Sequence, residues 1–321
     1  MSRYLLRRLT GGLLSLLAVN FIGFAYAEGA RYIQALQNPY GTRSAPPDIL
    51  ALYGAYAAGL TRLDLGHFGG GLGQGVGAAL LSAAAASGGL LILATGLSVG
   101  LGLLLGLAAV RVEPPGVAGW LTPAVSLGLA MPSFYLGTLF LAVAAYWLTR
   151  GLAEFPVPLA GFGWDAHLVL PTVALTLRPA AQIAQVTAGL LSGEMRRQYV
   201  VTARSVGNTW RRIRWRHALR NVWAPVLLTI AGALRLSMGE LVLVEWLFAW
   251  PGLGRLLAQT LLAPNIAAPG ALSGGGQSFL NPALLAALLV VFALAFLLTD
   301  GAASALARLA DPRFRLETPD A

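Results

Sequence analysis

Four ionisable side chains interrupt stretches otherwise suited to hydrocarbon: Arg178, Arg235, Glu240 and Glu245. Charge in such a setting is costly, so it marks solute or ion pathways, proton relays or interhelical pairs. Arg235 and Glu240 stand five residues apart, about 140° around a helix, and cannot pair along one face. They must address a neighbouring helix, a partner subunit or a water-filled translocation path. Arg178 with Glu240 is the candidate interhelical pair, while Glu245 falls near a span end, at the expected interface. Gly96-Leu97-Ser98-Val99-Gly100 has the form of a nucleophile elbow, but that chemistry needs a strand-to-helix turn and a histidine–acid pair. The three histidines, His67, His167 and His217, all lie outside the apolar stretches and show no metal-ligand spacing. Small-residue packing through Gly96/Gly100 and Gly102/Gly106 is the better reading. The chain has no cysteine, which excludes disulfides, thiolate metal sites and cysteine nucleophiles. It also has no lysine, so it carries no Walker A loop. No catalytic residue, cofactor or metal site is expected.

The elements that must position these groups are membrane spans. Only 11% of the 321 residues are charged and 57% are hydrophobic, against about 25% charged in soluble domains. Six apolar stretches can each cross a bilayer: Leu9–Ala27, Ala83–Val110, Leu121–Leu148, Leu168–Leu191, Val222–Leu247 and Leu280–Thr299. The second and third exceed the minimum, which predicts tilt or an interfacial end. Arg3, Arg7 and Arg8 before the first span argue for a cytoplasmic N-terminus. Six crossings then place the C-terminus inside, with Arg308, Arg313 and Arg315. The connection 192–221, with eight arginines, also falls inside. By this topology the formal charge of +9 lies on the inner face. A cleavable secretory signal ending near Ala25-Tyr26-Ala27 is the rival reading of the first span, and it leaves the later orientation unchanged. The connection 28–82 is external, with Asn38-Pro39 and Pro46-Pro47 as punctuation. Its glycine-rich end, Gly66–Gly77, lacks phosphate-cradle spacing and reads as a linker or a close-packed entry to the second span.

Segment 193–221 is the most informative. Tyr199, Ala203 and Val206 follow i, i+4, i+7 spacing and form a narrow apolar helix face. Gly207-Asn208 can end that helix, and Thr209 can cap a second one running through Trp210, Ile213 and His217. A basic helix–turn–helix elbow on the cytoplasmic surface results. Positive-inside bias explains arginines there but not a short amphipathic helix closed by glycine. Nucleic acid is an improbable partner for a segment tied to the membrane at both ends.

At this elbow the chain resembles the inner-membrane permease subunits of binding-protein-dependent ABC importers, in the dipeptide/oligopeptide/nickel-type branch. The resemblance rests on Gln198-Tyr199-Val200-Val201-Thr202-Ala203-Arg204-Ser205-Val206-Gly207, then Trp215-Arg216-His217-Ala218-Leu219-Arg220-Asn221 and Pro225. It extends to Arg3-Tyr4-Leu5-Leu6-Arg7-Arg8, Leu63-Asp64-Leu65-Gly66 and Met131-Pro132-Ser133-Phe134-Tyr135-Leu136-Gly137. Glu245 with Phe248-Ala249-Trp250-Pro251-Gly252-Leu253-Gly254-Arg255, and Asp311-Pro312-Arg313-Phe314-Arg315, complete it. The chain departs from the branch in several places. The proline-glycine-aspartate-proline stretch is missing from Glu28–Pro47. Gln185 and Ala188 stand where arginines are usual, and Val206 replaces the lysine before the loop glycine. A Ser273-Gly274-Gly275-Gly276 insert precedes the last span.

The resemblance implies an all-α integral membrane protein with six transmembrane helices, cytoplasmic termini and an ABC-importer permease core. Residues 1–82 would supply the first span and external segment, 83–305 the core with its coupling loop 192–221, and 306–321 a cytoplasmic tail. It implies membrane lipid around the spans and three kinds of partner: a second homologous permease, two ABC ATPase subunits that hydrolyse ATP, and an extracytoplasmic solute-binding protein. Tyr199, Thr202, Ala203, Arg204, Gly207, Arg216 and Arg220 would then couple to an ATPase, with Tyr199 and Ala203 as the apolar ridge in its groove. The solute would be peptide-like. The rival class is a self-sufficient secondary transporter or channel using Arg178, Arg235 and Glu240 for ion coupling.

Overall fold

The structure, a computed structural model, describes residues 2–37, 45–68, 74–151, 155–262 and 278–310. Helices form at all six apolar stretches. They are α1 (Ser2–Gln37), α3 (Val76–Ala108), the pair α4 (Leu121–Ala130) and α5 (Ser133–Thr149), α6 (Val169–Met195), α9 (Leu219–Leu247) and α11 (Pro282–Ala310). Shorter helices are α2 (Ile49–Leu60), α7 (Gln198–Ser205), α8 (Trp210–Arg212) and α10 (Leu253–Leu261). Two antiparallel ribbons complete the described elements, β1 (His67–Phe68) with β2 (Gln74–Gly75) and β3 (Val110–Arg111) with β4 (Gly116–Val117). The expected linker at Gly66–Gly77 is therefore partly a hairpin, whose residues 69–73 lie outside the described set. The Ser273–Gly276 insert and Asp311–Arg315 also lie outside it, while residues 306–310 of the expected tail belong to α11.

Among the described residues, four stretches are long and apolar enough to cross a membrane: Leu9–Gln37, Val76–Ala108, Trp210–Leu247 and Pro282–Leu306. A fifth exists if α4 and α5 count as one broken span. They are not the single helix expected over 121–148, because they meet at 88°. The cause is Pro132, which lacks an N–H and forces the preceding residue out of the α region; Met131 has φ −99° and ψ 106°. Helix α6 has the length, 27 residues, but Arg178, Gln182, Gln185 and three threonines make it too polar to qualify by composition.

The chain divides into two compact units. One comprises Met1–Gly88 and Glu245–Leu298, the other Gly89–Val244 and Thr299–Ala321. In the first, Val76, Leu80, Ala83, Leu253, Leu284 and Leu288 form an apolar cluster. Helix α2 docks on α1 there through a buried polar residue: Asn20 receives the Tyr53 hydroxyl at 3.0 Å, and Tyr56 stacks on Phe24 at 5.0 Å. In the second unit, α3 and α6 approach so closely that a Cβ on Gly102 would stand 2.7 Å from Ile183 Cβ. One on Gly106 would stand 2.8 Å from Thr187 Cβ. This is the expected small-residue contact, but only half of it. Gly96 and Gly100 have no other element within 4 Å of an added Cβ among the described residues. Ser98 between them is buried, donates to Ala94 O at 2.7 Å and lies 3.1 Å from Thr176 O, a satisfied core hydroxyl.

Candidate functional site

The elbow begins where α6 ends. Arg197, in extended conformation (φ −72°, ψ 149°), lets the chain turn into α7. Helix α7 closes on Gly207 at φ +88°, a left-handed conformation costly to any residue with a Cβ. Two bonds of a Schellman-type cap consume orphan carbonyls: Gly207 N–H donates to Arg204 O at 2.9 Å and Asn208 N–H to Ala203 O at 3.1 Å. Thr209 then caps α8, its hydroxyl accepting from Arg212 N–H at 3.4 Å. The second helix continues as a wide turn through Ile213–Ala218, including His217, and runs straight into α9.

The face of α7 that points outward differs from the one read from spacing. Tyr199 and Ala203 pack inward, beside buried Val200, against a core that includes Leu191, Met195, Ile213 and Ala218. Both are half-buried. The exposed apolar groups are instead Val206 at 77%, Val201 at 67% and Trp215 at 54%. Of the apolar face read from spacing, Tyr199 and Ala203 pack against that core, whereas Val206, the C-cap residue of α7, is exposed. Around this surface stand Thr202, Arg204, Arg211, Arg212, Arg216 and Arg220, all exposed. Arg204 covers the Trp210 ring at 5.0 Å and donates to Asn208 O at 3.3 Å, a cation–π contact that shields the turn.

Two groups that sequence reasoning passed over hold the elbow. Glu194, on the last turn of α6, accepts from the Tyr199 hydroxyl at 2.9 Å and from Asn221 Nδ2 at 3.0 Å, with Arg197 Nε at 3.4 Å. Burial, followed by the Glu194 carboxylate, pushes the Tyr199 phenol up to about 12, so it remains a donor at neutral pH. Arg214 reaches the end of α3, donating to Val110 O at 3.1 Å and Leu107 O at 3.4 Å. Those carbonyls sit at and just beyond a helix C-terminus, where a guanidinium is favourable. The only available signal was that a glutamate and an arginine adjoin the motif.

Three of the four in-span charges form ion pairs. Arg178 Nη1 meets Glu240 Oε1 at 2.5 Å across α6 and α9, the interhelical pair named from sequence. Arg235 pairs with Asp300 on α11; nothing in the sequence linked these two. Glu240 Oε2 is buried with no hydrogen-bond partner among the described residues. Glu245, expected near a span end, is enclosed by protein. It is 0% exposed and organises the chain beyond α9. Its carboxylate accepts from Ser87 Oγ at 2.6 Å, Gly254 N–H at 2.7 Å and Arg255 N–H at 3.2 Å, while Ser87 Oγ accepts from Leu253 N–H at 2.7 Å. Leu253, Gly254 and Arg255 are the first residues of α10, whose cap residue, Gly252, has no side chain to offer. Glu245 and Ser87 thus cap that helix from outside its own sequence. A Cβ on Gly252 would lie 2.1 Å from Glu245 Oε1, so only glycine fits.

Residues 98–316 match the family of the binding-protein-dependent transport system inner membrane component. This chain belongs to that family. Its members are transport permeases of the inner membrane, not catalytic enzymes, and the apolar helices agree with a multi-pass inner-membrane protein. Among relatives, a Brucella abortus protein named provisionally as a peptide transport system permease is 31% identical over 185 residues, 55% of this chain and 57% of the relative. The dipeptide transport system permease protein DppB of Lactococcus lactis subsp. cremoris is 29% identical over 219 residues, 67% and 64% of the two chains. The oligopeptide transport system permease protein AppB of Bacillus subtilis is 32% identical over 139 residues, 42% and 44%. The matched region therefore spans less than two thirds of each of these relatives.

Proposed function

We propose that this chain is the permease subunit of an ATP-driven ABC importer for peptide-like solutes. It pairs with a second homologous permease, docks two ATPase subunits through the α7–α8 elbow, and receives solute from an extracytoplasmic binding protein. Six spans place both termini and the elbow in the cytoplasm: α1, α3, the bent α4–α5 pair, α6, α9 and α11. Residues 83–305 carry the permease core. The relatives named for peptide, dipeptide and oligopeptide transport support the solute class.

The observation that carries the reading is the elbow: an eight-residue helix closed by Gly207, exposing Val201, Val206 and Trp215 among arginines. Exposed valine and tryptophan supply apolar contact to a groove, and arginines pair with acidic side chains or helix C-termini around it. Thr202, Arg204, Gly207, Arg216 and Arg220 belong to that contact, whereas Tyr199 and Ala203 support it from beneath. Closure of the ATPases on nucleotide would displace the elbow and shift the spans between two access states. Arg178–Glu240 then acts as an interhelical tie, and family membership disfavours a self-sufficient secondary transporter. Val206→Asp tests the reading, because it charges the exposed face without touching the core. Copurified ATPase and dipeptide uptake should both fall while membrane insertion stays normal; unchanged copurification would refute the assignment.

A further inference from the structure

We propose that Glu194 is the positioning residue that makes the elbow move as one piece with α6 and α9. The inference rests on the coupling role proposed for the elbow and adds the route by which its displacement reaches the spans. Glu194 belongs to α6, the Tyr199 hydroxyl that it binds belongs to α7, and the Asn221 amide belongs to the first turn of α9. One carboxylate therefore joins the incoming span, the elbow helix and the outgoing span. Arg197, between α6 and α7, lies against its second oxygen at 3.4 Å.

The chemistry suits a joint that must carry load in either direction. A carboxylate accepts several hydrogen bonds at once, and bonds to a charged acceptor are roughly twice as strong as neutral ones. Without Glu194 the elbow would still be attached, because Val200 and Ile213 are buried and Arg214 holds the end of α3. Apolar contact, however, lets α7 slide or roll, whereas directional bonds to two helices fix its angle. Loss of Glu194 should then leave docking intact and separate ATP hydrolysis from span movement.

The experiment uses the assembled complex with its partner permease, ATPases and binding protein. Leu243→Cys, on the exposed side of α9, gives this chain a single thiol, followed on its own band after labelling, because the chain has no cysteine. Thiol-labelling rate is compared without nucleotide and with ATP plus vanadate, beside ATP hydrolysis. In the otherwise native chain the rate should change at least fivefold between states. Glu194→Ala and Tyr199→Phe should keep hydrolysis within twofold and shrink the labelling change below twofold. Glu194→Gln, which keeps one acceptor, should restore part of it. Tyr199→Phe removes a single oxygen, so it tests the idea even if Glu194→Ala does not assemble. An undiminished labelling change in Tyr199→Phe would overturn the inference, as would a loss of bound ATPase in parallel with hydrolysis. A native complex whose labelling ignores nucleotide would overturn the transport reading beneath it.

Discussion

Truncating Glu245 should be among the most damaging single changes in the chain. The carboxylate is completely buried and receives Ser87 Oγ–H at 2.6 Å, Gly254 N–H at 2.7 Å and Arg255 N–H at 3.2 Å. Glu245→Ala leaves two N–H groups at the start of α10 without an acceptor, each costing about 1–3 kcal/mol when buried. The same change removes a charge whose own burial was unfavourable, which offsets part of the loss. The net expectation is about 3–5 kcal/mol, the range for breaking a buried charged network. Ser87→Ala removes one donor to the carboxylate and the acceptor of Leu253 N–H, an expected loss of about 1–3 kcal/mol. At about 2–4 °C per kcal/mol, the scale for domains of about 150–250 residues, Glu245→Ala should lower Tm by roughly 6 °C, with Ser87→Ala between it and the native chain. Tryptophan fluorescence during thermal unfolding in nanodiscs reads this directly. Trp250 is buried beside the site, and its indole N–H donates to Ala86 O at 3.1 Å. A Glu245→Ala protein melting within about 1 °C of the native one would refute the claim that this carboxylate caps α10.

Four further outcomes follow from other contacts. Gly106→Val should abolish or sharply reduce folded protein, since even a Cβ there stands 2.8 Å from Thr187 Cβ and 3.0 Å from Ala184 O; Gly100→Val, facing open space, should be tolerated, and size-exclusion profiles separate the two. Arg178→Ala should destabilise by about 3–5 kcal/mol by stranding Glu240, whereas Arg178→Met with Glu240→Leu should recover most of that loss, measured by the same melts. Gly207→Val should cost about 1–2 kcal/mol from the left-handed backbone and increase proteolysis at the elbow. The raised Tyr199 pKa gives the native state a contribution fully present below the ordinary phenol value of 10.0 and lost as pH climbs from there to about 12. Tyr199→Phe should therefore flatten stability over that alkaline range, followed by circular dichroism.

The sequence showed the elbow and the paired charges for different reasons. Gly207, Asn208 and Thr209 are terminators with local mechanisms, so the helix end and the next cap were readable without tertiary information. Arg178 and Glu240 were readable as a pair because charges in apolar helices need counter-charges. The 88° break at Met131-Pro132 was present as a proline, but apolar continuity through 121–148 outweighed it. The orientation of α7 was not readable, because an eight-residue helix gives two turns of pattern and its cap decides where Val206 points. The burial of Glu245 was not readable for a similar reason. Hydropathy shows only that this glutamate stands near a span end; Ser87 is 158 positions earlier and no local pattern predicts that contact. Gly102 and Gly106 differ from Gly96 and Gly100 only by helix rotation, which a helix apolar on every side does not encode.

The elbow arginines divide by what they touch, and the division bears on why they are there. Arg214 turns inward onto the carbonyls at the end of α3, Arg204 lies over Trp210, and Arg197 stands beside Glu194. These three contribute to the elbow's own shape. Arg211, Arg212, Arg216 and Arg220 remain exposed, in company with Trp215. A topological preference for positive charge inside the membrane would account for exposed arginines alone. It gives no reason for Val201, Val206 and Trp215 to be left out of an adjacent apolar core that takes Val200, Ile213 and Ala218. Nor does it require rigid anchoring through Glu194 and Arg214. Exposed apolar surface, peripheral charge and a stiff backing are together the requirements of a site that must both bind a partner and transmit its movement. The cluster around Glu194 is therefore where binding and motion can be separated by mutation, and Val206 is where they fail together.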